Sequence, residues 1–380
     1  MSKTVFVGLS GGVDSSVSAL LLKQAGYNVV GVYMKNWSKD LPGFPCPWKE
    51  DYQDAKRIAV QLGIDFKMFD FEKEYLDKVV GYMLDGFKAG ITPNPDIMCN
   101  QEIKFKLFFD TAIEQGADFI ATGHYAQVVK GPSFHKSLNS KFDIQNAEQI
   151  EVSNLKSQIS NLVKAVDDNK DQTYFLYRVS EEALSKTLFP IGHLTKPEVR
   201  KIAENNNLIT ATKKESMGIC FVGKVGIKEF LQQYVHRVGP GAIVDQNGVV
   251  IGEHDGAIFY TIGQRHGLDL GGGLPYYVTG KDMAKNRVFV TTDLNDKALW
   301  SDELNLTSVH FINKYEVRST KYEKLQVRTR HRAKLVDCTM SKKENGDVVI
   351  KLKDQIRAIT PGQSAVIYSG NICLGGGIIC

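Results

Sequence analysis

Residues 8–15, Gly-Leu-Ser-Gly-Gly-Val-Asp-Ser, decide the interpretation of the fold. They follow a short apolar run, Thr4 to Val7, and precede an apolar-periodic stretch, Ser16 to Ala25, which ends at Gly26. A strand that passes through a Gly/Ser turn into a helix aims backbone N–H groups at one point, where the helix dipole favours an anion. Glycines let the main chain approach a phosphate closely. The pattern therefore predicts a phosphate-binding turn.

Asp14 places a carboxylate in this turn, where an anion is expected to bind. A carboxylate beside a phosphate is reasonable chiefly through a bridging cation such as Mg2+. The hydroxyls of Ser10, Ser15 and Ser16 can add donors. The turn has no lysine after its second glycine, so it is not a Walker A motif. It resembles instead the PP-loop of ATP pyrophosphatases, which split ATP between the α and β phosphates. The alternative is an ordinary glycine turn of a doubly wound sheet.

The composition is that of a globular chain with more than one core. The 380 residues are 43% hydrophobic and 24% charged, and this length predicts two or three domains. The net charge of +4 says little about partners. Between Ile312 and Arg357, however, 13 Lys and Arg stand against 6 Asp and Glu. This basic region suits RNA, or it is a solvated surface.

Targeting and metal signals are weak in this sequence. It has no apolar run of 18 residues, and a strand follows the first residues at once, so we expect a cytoplasmic protein without a membrane segment. The six cysteines, at 46, 99, 220, 338, 373 and 380, are too scattered for a disulfide framework. No close Cys/His spacing predicts a metal cluster.

The pattern of apolar and polar residues changes twice along the chain. Residues 1 to about 125 alternate apolar strands with amphipathic helices, which predicts a parallel sheet covered on both faces. Strands are predicted at 4–7, 29–33, 66–69 and 119–122, and helices at 16–25, 51–62, 72–87 and 102–115. Ligands of such sheets bind at the carboxyl ends of the strands, where the turn at 8–15 and Gly123-His124 would both lie.

The expected fold class is therefore α/β, a doubly wound PP-loop domain followed by a small β-rich domain and a C-terminal β-barrel. The domains are predicted at 1–212, 213–280 and 281–380. β-branched runs near 287–290, 326–330, 348–351 and 365–368 predict the barrel. A polar stretch at about 132–165 is interpreted as an insertion.

Cys99 is the first candidate for thiol chemistry. Pro93 and Pro95 are expected to stiffen its lead-in and keep it out of a helix, so that the helix begins near Asn100. A cysteine at a helix start feels the positive end of the dipole, which favours thiolate. Asp96 could accept or shuttle a proton. The alternative is an inert cysteine.

Cys220 is the second candidate, in the sequence Gly218-Ile-Cys-Phe-Val-Gly223. Glycines on both sides suggest an exposed, bendable segment. A cysteine between Ile219 and Phe221 could equally be buried core.

Eight motifs, in this order, carry a more specific resemblance: SGGVDS, NPDIMCN, ATGHYA, KDQTYFL, GICFVG, TIGQRHGL, TPGQSAV and CLGGGII. Together they resemble the tRNA-specific 2-thiouridylases over nearly the whole chain. That family replaces the C2 oxygen of the wobble uridine with sulfur in tRNAs for lysine, glutamate and glutamine. The resemblance implies ATP with Mg2+ as cosubstrate, tRNA as substrate, a cysteine desulfurase or sulfur-relay donor protein, and a reductant.

The resemblance also implies residue roles. Cys220 would carry a persulfide, and Cys99 would free the sulfur and end in a Cys99–Cys220 disulfide. The residues implied to bind ATP are Gly8, Leu9, Ser10, Gly11, Gly12, Val13, Asp14, Ser15, Met34 and Gly123; a core methionine is the alternative for Met34. The residues implied to touch tRNA are Asn94, Pro95, Asp96, His124, Lys170, Asp171, Gln172, Arg330, His331 and Gln363.

Residues 327–334 are expected to add a cationic stripe. If they form a strand, Arg328, Arg330, Arg332 and Lys334 share one face, which suits phosphates. The family has Arg-Tyr where this chain has Arg330-His331, and histidine can still stack.

Three other functions compete with thiolation. The first is a PP-loop enzyme that adenylates a small carboxylate or amide, against which the paired cysteines and the basic β domain argue. The second is a non-catalytic RNA-binding module, against which the intact turn argues. The third is a plain sulfur carrier, which would need no PP-loop.

Overall fold

The computed structural model describes residues 2–43, 45–131, 159–214, 226–235, 239–268, 270–271, 273, 275–313 and 324–380. Its strands are β1 (Thr4–Gly8), β2 (Asn28–Lys35), β3 (Asp65–Asp70), β4 (Phe119–Ala121), β5 (Ala126–Gly131), β6 (Ile159–Lys164), β7 (Thr187–Leu188), β8 (Gly241–Val244), β9 (Val250–His254), β10 (Tyr277–Asp282), β11 (Arg287–Thr291), β12 (Trp300–Phe311), β13 (Leu325–Arg328), β14 (Val336–Lys342), β15 (Val348–Arg357), β16 (Ser364–Ser369) and β17 (Ile372–Ile379).

The helices lie mainly in the first half of the chain. They are α1 (Val13–Gln24), α2 (Trp48–Leu62), α3 (Glu72–Tyr75), α4 (Gly81–Lys88), α5 (Pro95–Met98), α6 (Phe108–Glu114), α7 (Thr173–Leu176), α8 (Glu181–Ser185), α9 (Lys196–Asn205) and α10 (Ile227–Tyr234). Two π-helical segments, Leu76–Val80 and Cys99–Leu107, join α3 to α4 and α5 to α6. Short 3-10 turns cover Ala257–Phe259 and Lys297–Leu299.

The N-terminal sheet is parallel, in the order β3-β2-β1-β4-β7. Successive residues of its central strand face opposite cores, as strand geometry requires. Val5 and Val7 pack with side chains of α1, α2 and α9, and Phe6 packs with those of the α3–α6 side. The predicted doubly wound α/β domain is confirmed, and it brings the carboxyl ends of β1, β2 and β4 to one edge.

The middle of the chain forms a four-stranded sheet in the order β10-β11-β8-β9. Its small core includes Ile243, Val278 and Val288. Strand β11 pairs with β8 here rather than with the C-terminal strands, where its alternating pattern had placed it. Alternation shows that a segment is a strand but not which sheet it joins. The domain division at 212 and 280 stays a prediction.

The C-terminal strands close into a barrel, as predicted. The order β12-β15-β14-β13-β16-β17 is closed by pairing of β12 with β17. The hairpin β5–β6, which follows the parallel sheet in the chain, extends this barrel through pairs such as Cys373 with Leu162.

The predicted insertion at 132–165 is wrong at its C-terminal end. Residues 159–164 form β6, and 132–158 lie outside the described residues. Ser160 and Asn161 are polar and give no strand signal in the sequence, yet both side chains are buried. No helix among the described residues combines the length and apolarity that a membrane span requires.

Candidate nucleotide and base site

The turn at 8–15 has the strand–turn–helix geometry that the sequence predicted. Gly12 is the N-cap of α1, and its carbonyl accepts hydrogen bonds from the hydroxyls of Ser15 (3.1 Å) and Ser16 (2.8 Å). The Ser15 hydroxyl also accepts from the backbone N–H of Ser10 at 3.2 Å. Gly11 has φ +73°, and a Cβ there would lie 2.5 Å from the Asp51 carbonyl oxygen. Glycine is therefore required for this turn to pack against α2.

Gly123 and Met34 lie beside the turn, at the ends of β4 and β2. A Cβ on Gly123 would be 2.7 Å from the backbone nitrogen of Ser15, so β4 reaches the turn only because this residue is glycine. Met34 lines the cavity in front of the turn. It also belongs to the hydrophobic core, and only 7% of its surface is exposed. Its side chain thus contributes to both the cavity wall and the hydrophobic core.

Asp14 contacts a cation that the sequence analysis missed. The ammonium of Lys196, at the start of α9, lies 2.8 Å from each carboxylate oxygen of Asp14. The hydroxyl of Tyr125 donates to Asp14 Oδ1 at 2.9 Å. Lys196 itself is buried and lines the same cavity as the turn. Asp14 is expected to meet phosphate through Mg2+, which stays a prediction; in the structure its carboxylate pairs with the Lys196 ammonium.

One cavity of about 490 Å³ joins the turn to the candidate base pocket. One part of its wall is formed by the turn and Met34. Another part is formed by Asp96, Lys170 and Gln172. All the nucleotide residues implied by the resemblance except Gly11, and several of the implied RNA residues, therefore face one space. No group of three His, Cys, Asp or Glu suited to a metal ion occurs in the described part of the chain.

The lead-in to Cys99 is helical, which corrects the expected helix start near Asn100. Helix α5 begins at Pro95, and the Asn94 side chain caps it by accepting from Ile97 N at 3.3 Å. Proline is favoured at the first helical position because the N–H that it lacks would have no hydrogen-bond partner there, and because its fixed φ suits a helix. Asp96 and Cys99 therefore lie within the helix, three residues apart.

Cys99, the first residue of the π-helical segment, does not line the cavity. Asp96, Asn100 and Lys104, at a spacing of four, line the cavity. Cys99 is 0% exposed and packs in the hydrophobic core. Cys220 lies outside the described residues.

His124 lies on the cavity wall as a neutral imidazole. Burial, and secondarily the charge of Lys104, hold its pKa well below the usual range. Its Nδ1 lies 2.8 Å from the hydroxyl of Thr122, and its ring packs against Phe105 and Phe189. A neutral ring favours stacking and hydrogen bonding over phosphate attraction.

The three residues 170–172 have different positions. Lys170 and Gln172 line the cavity, and Gln172 Oε1 accepts from Tyr125 N at 2.9 Å. Asp171 is 0% exposed and pairs with Arg328 at 3.2 Å. As placed here, Asp171 does not reach the surface as the implied RNA contact would require. It instead neutralises a buried arginine between two domains.

The predicted cationic stripe is wrong. Strand β13 ends at Arg328, which is 7% exposed and paired with Asp171. Arg332 has φ +63°, so the chain beyond the strand is not extended. Arg330 and Arg332 stay exposed, and Arg332 lines the large cavity with His331. Burial, then the charges of Arg332, Arg328 and Lys170, lower the pKa of His331 to about 4. Its ring centroid lies 4.6 Å from that of Phe175.

Gln363 is outside the large cavity. It lines a second cavity of about 360 Å³ with Arg330, Thr360 and the 261–264 turn. Its side chain is directed to the loop before Asn94, where its amide nitrogen donates to Thr92 O at 2.8 Å.

The parallel sheet and the phosphate-binding turn after its first strand place the N-terminal domain in the class of doubly wound α/β domains. Residues 3–224 match the family model described as "tRNA methyl transferase HUP domain". Residues 228–292 match its PRC-barrel domain, and 301–379 match the aminomethyltransferase β-barrel domain.

Full-length relatives make the assignment more specific. The chain is 46% identical to a tRNA-specific 2-thiouridylase MnmA of Listeria monocytogenes, over 99% of this chain and 94% of the relative. It is also 46% identical to that of Shouchella clausii, over 99% and 96%. The chain therefore belongs to the MnmA family of tRNA-specific 2-thiouridylases. The chain also aligns with a solved 4-thiouridine synthetase–RNA complex with bound ATP. The alignment covers 61% of this chain and 50% of the synthetase chain, at 14% identity and a TM-score of 0.34.

Proposed function

We propose that this protein replaces the C2 oxygen of the wobble uridine in tRNAs for lysine, glutamate and glutamine with sulfur, at the expense of ATP. The single observation that carries the proposal is the shared cavity. It has a phosphate-binding turn on one part of its wall and Asp96, in the first turn of α5, on another. Such a space suits two substrates that react with each other.

The first step is adenylation of the uracil C2 oxygen. That oxygen attacks the α-phosphorus of ATP, and the bond to the β-phosphate bridging oxygen breaks, so that pyrophosphate leaves with the electron pair. The turn's N–H groups hold the pyrophosphate, and Met34 forms a wall for adenine. Lys196 stabilises the charge that develops on the phosphates. Mg2+ arriving with ATP would supply further positive charge, and Asp14, which pairs with Lys196, is the carboxylate that would hold it.

The second step transfers sulfur and is written in two orders. In one, the terminal sulfur of a Cys220 persulfide attacks C2 and AMP leaves with the C–O electrons. The Cys99 thiolate then attacks the inner sulfur of Cys220, which releases 2-thiouridine and forms a Cys99–Cys220 disulfide. In the other, the Cys99 thiolate first attacks the inner sulfur of Cys220, which forms the disulfide and frees hydrosulfide; the hydrosulfide then attacks C2, and AMP leaves with the C–O electrons. Asp96 accepts the thiol proton.

Both orders require external partners and movement. A cysteine desulfurase or relay protein loads the persulfide, and a two-electron reductant reopens the disulfide. Cys99 is fully buried, so the disulfide step requires that the segment carrying Cys220 reach this sulfur during the reaction. Asn94, Pro95, Asp96, His124, Lys170, Gln172 and His331 surround an extruded base, as single-stranded loop bases are recognised in general.

The test is release of pyrophosphate from ATP by the purified full chain. We expect release only with an unmodified substrate tRNA, because the uridine oxygen is the nucleophile. The control is the same tRNA with cytidine at the wobble position. Release with a small carboxylate or amide instead of tRNA would favour the rival synthetase, and no release under reducing, donor-supplied conditions would favour a binding module.

A further inference from the structure

The loop that precedes the base pocket is held by a turn of the C-terminal barrel. The backbone N–H of Thr92 donates to Pro361 O at 2.8 Å, and Thr92 O accepts from the Gln363 amide at 2.8 Å. Both backbone groups of Thr92 are thus bonded to one turn. Thr92 lies two residues before Asn94, which caps α5.

Gly362 allows this turn to lie against the loop. It is buried with φ +91°, and a Cβ there would be 2.8 Å from Thr92 N and 2.9 Å from its carbonyl carbon. On the other side of the loop, a Cβ on Gly86 would meet Pro93 at 2.8 Å. The loop is therefore closely packed between helix α4 and the barrel turn.

Arg330 also binds the barrel turn 360–363 and the residues just before it. Its Nη2 donates to Thr360 Oγ1 at 2.9 Å, to Ala358 O at 2.7 Å and to Ile262 O at 3.2 Å. The middle domain also reaches the loop, since the hydroxyls of Thr92 and Thr261 are 3.4 Å apart. All three parts of the chain meet at this junction.

We propose that Gly362 and Gln363 are positioning residues: the barrel turn 360–363 sets the start of helix α5, whose Asp96 lines the cavity, and so couples the tRNA-binding barrel to the reacting base. The proposal rests on the proposed function, because that function places the uridine at Asn94–Asp96. It differs from the RNA contact that the resemblance implies for Gln363. A contact residue changes tRNA affinity, whereas a positioning residue changes the rate once tRNA is bound.

The experiment compares Gly362→Ala with Gly370→Ala, a barrel glycine with φ +57° and nothing within 4 Å of its Cβ. Gln363→Ala is the milder second variant, which removes a single hydrogen bond. Thermal unfolding checks that each variant folds. The readouts are amide exchange in the peptide spanning 88–98, the tRNA dissociation constant, and the single-turnover thiolation rate at saturating tRNA.

In Gly362→Ala we expect faster exchange at the backbone amides of Thr92 and Asn94 and a rate about tenfold lower, because the reacting groups are displaced. In Gln363→Ala we expect a rate about fivefold lower. The dissociation constant should stay within about threefold in both, and Gly370→Ala should match the wild type. Unchanged exchange at Thr92 and Asn94 in Gly362→Ala, or weaker tRNA binding with an unchanged saturated rate, would overturn the proposal. Amide exchange does not depend on thiolation. An inactive wild type would therefore refute the proposed function, while the contact between the barrel turn 360–363 and Thr92 could still be tested.

Discussion

Replacement of Cys99 by alanine is expected to abolish thiolation while tRNA-dependent pyrophosphate release survives in part. The thiol is needed only after the uridine has been adenylated, so its loss removes the sulfur step and not the first one. A chemically essential nucleophile is worth a factor on the order of 10³ or more. Cys220→Ala should give the same result. The measurement is 2-thiouridine and pyrophosphate formed per enzyme in the same reaction.

The matched control for this substitution is Cys373→Ala. Cys373 is also buried, at 2% exposed, but lies in the barrel strand β17 and does not line the cavity. Its variant should lose a similar, small amount of stability and keep thiolation. Wild-type levels of 2-thiouridine from both Cys99→Ala and Cys220→Ala would end the thiolation hypothesis. Loss of pyrophosphate release together with thiolation would show that Cys99 supports the site rather than the sulfur step.

Lys196→Met is expected to slow tRNA-dependent pyrophosphate release by about 100-fold or more, the usual effect of removing one preorganised charge-stabilising donor. Methionine keeps the length of the side chain and removes the ammonium that lies 2.8 Å from both oxygens of Asp14. The Asp14 carboxylate would then stand uncompensated beside the phosphates. The rate is measured with ATP and tRNA at saturation.

Two further variants sharpen this test. Lys201→Met changes an exposed lysine of the same helix α9 and should leave the rate unchanged. If Lys196 and Asp14 act as a unit, Asp14→Asn combined with Lys196→Met should be no slower than the worse single variant. An unchanged rate in Lys196→Met would remove this lysine from the mechanism, and strictly multiplicative effects would show that the two groups act separately.

The parts of the site that are local in sequence could be predicted. The Gly-rich turn, its strand and its helix are fixed by neighbouring residues, so the motif at 8–15 was sufficient. The start of α5 also had a local signal, because Asn94 followed by Pro95 is an N-cap followed by a first-position proline. Pro93 and Pro95 do stiffen this loop, but a proline at the first position of a helix does not prevent the helix from forming.

The parts that depend on distant residues could not be predicted. Lys196 is 182 positions from Asp14, and Asp171 is 157 positions from Arg328, so no spacing reveals either pair. The stripe at 328–334 alternates like a strand, yet the positive φ of Arg332 ends the extended conformation. Which charges become buried is decided by how the domains meet, and the local pattern does not contain that information.

The most direct test of thiolation is nucleoside analysis of tRNA from cells that lack this protein. Thiolation at C2 should be absent from wobble uridines and unchanged elsewhere. Expression of the wild-type chain should restore it, and Cys99→Ala should not. Unaltered 2-thiouridine derivatives at the wobble position in the deletion strain would contradict the proposed function.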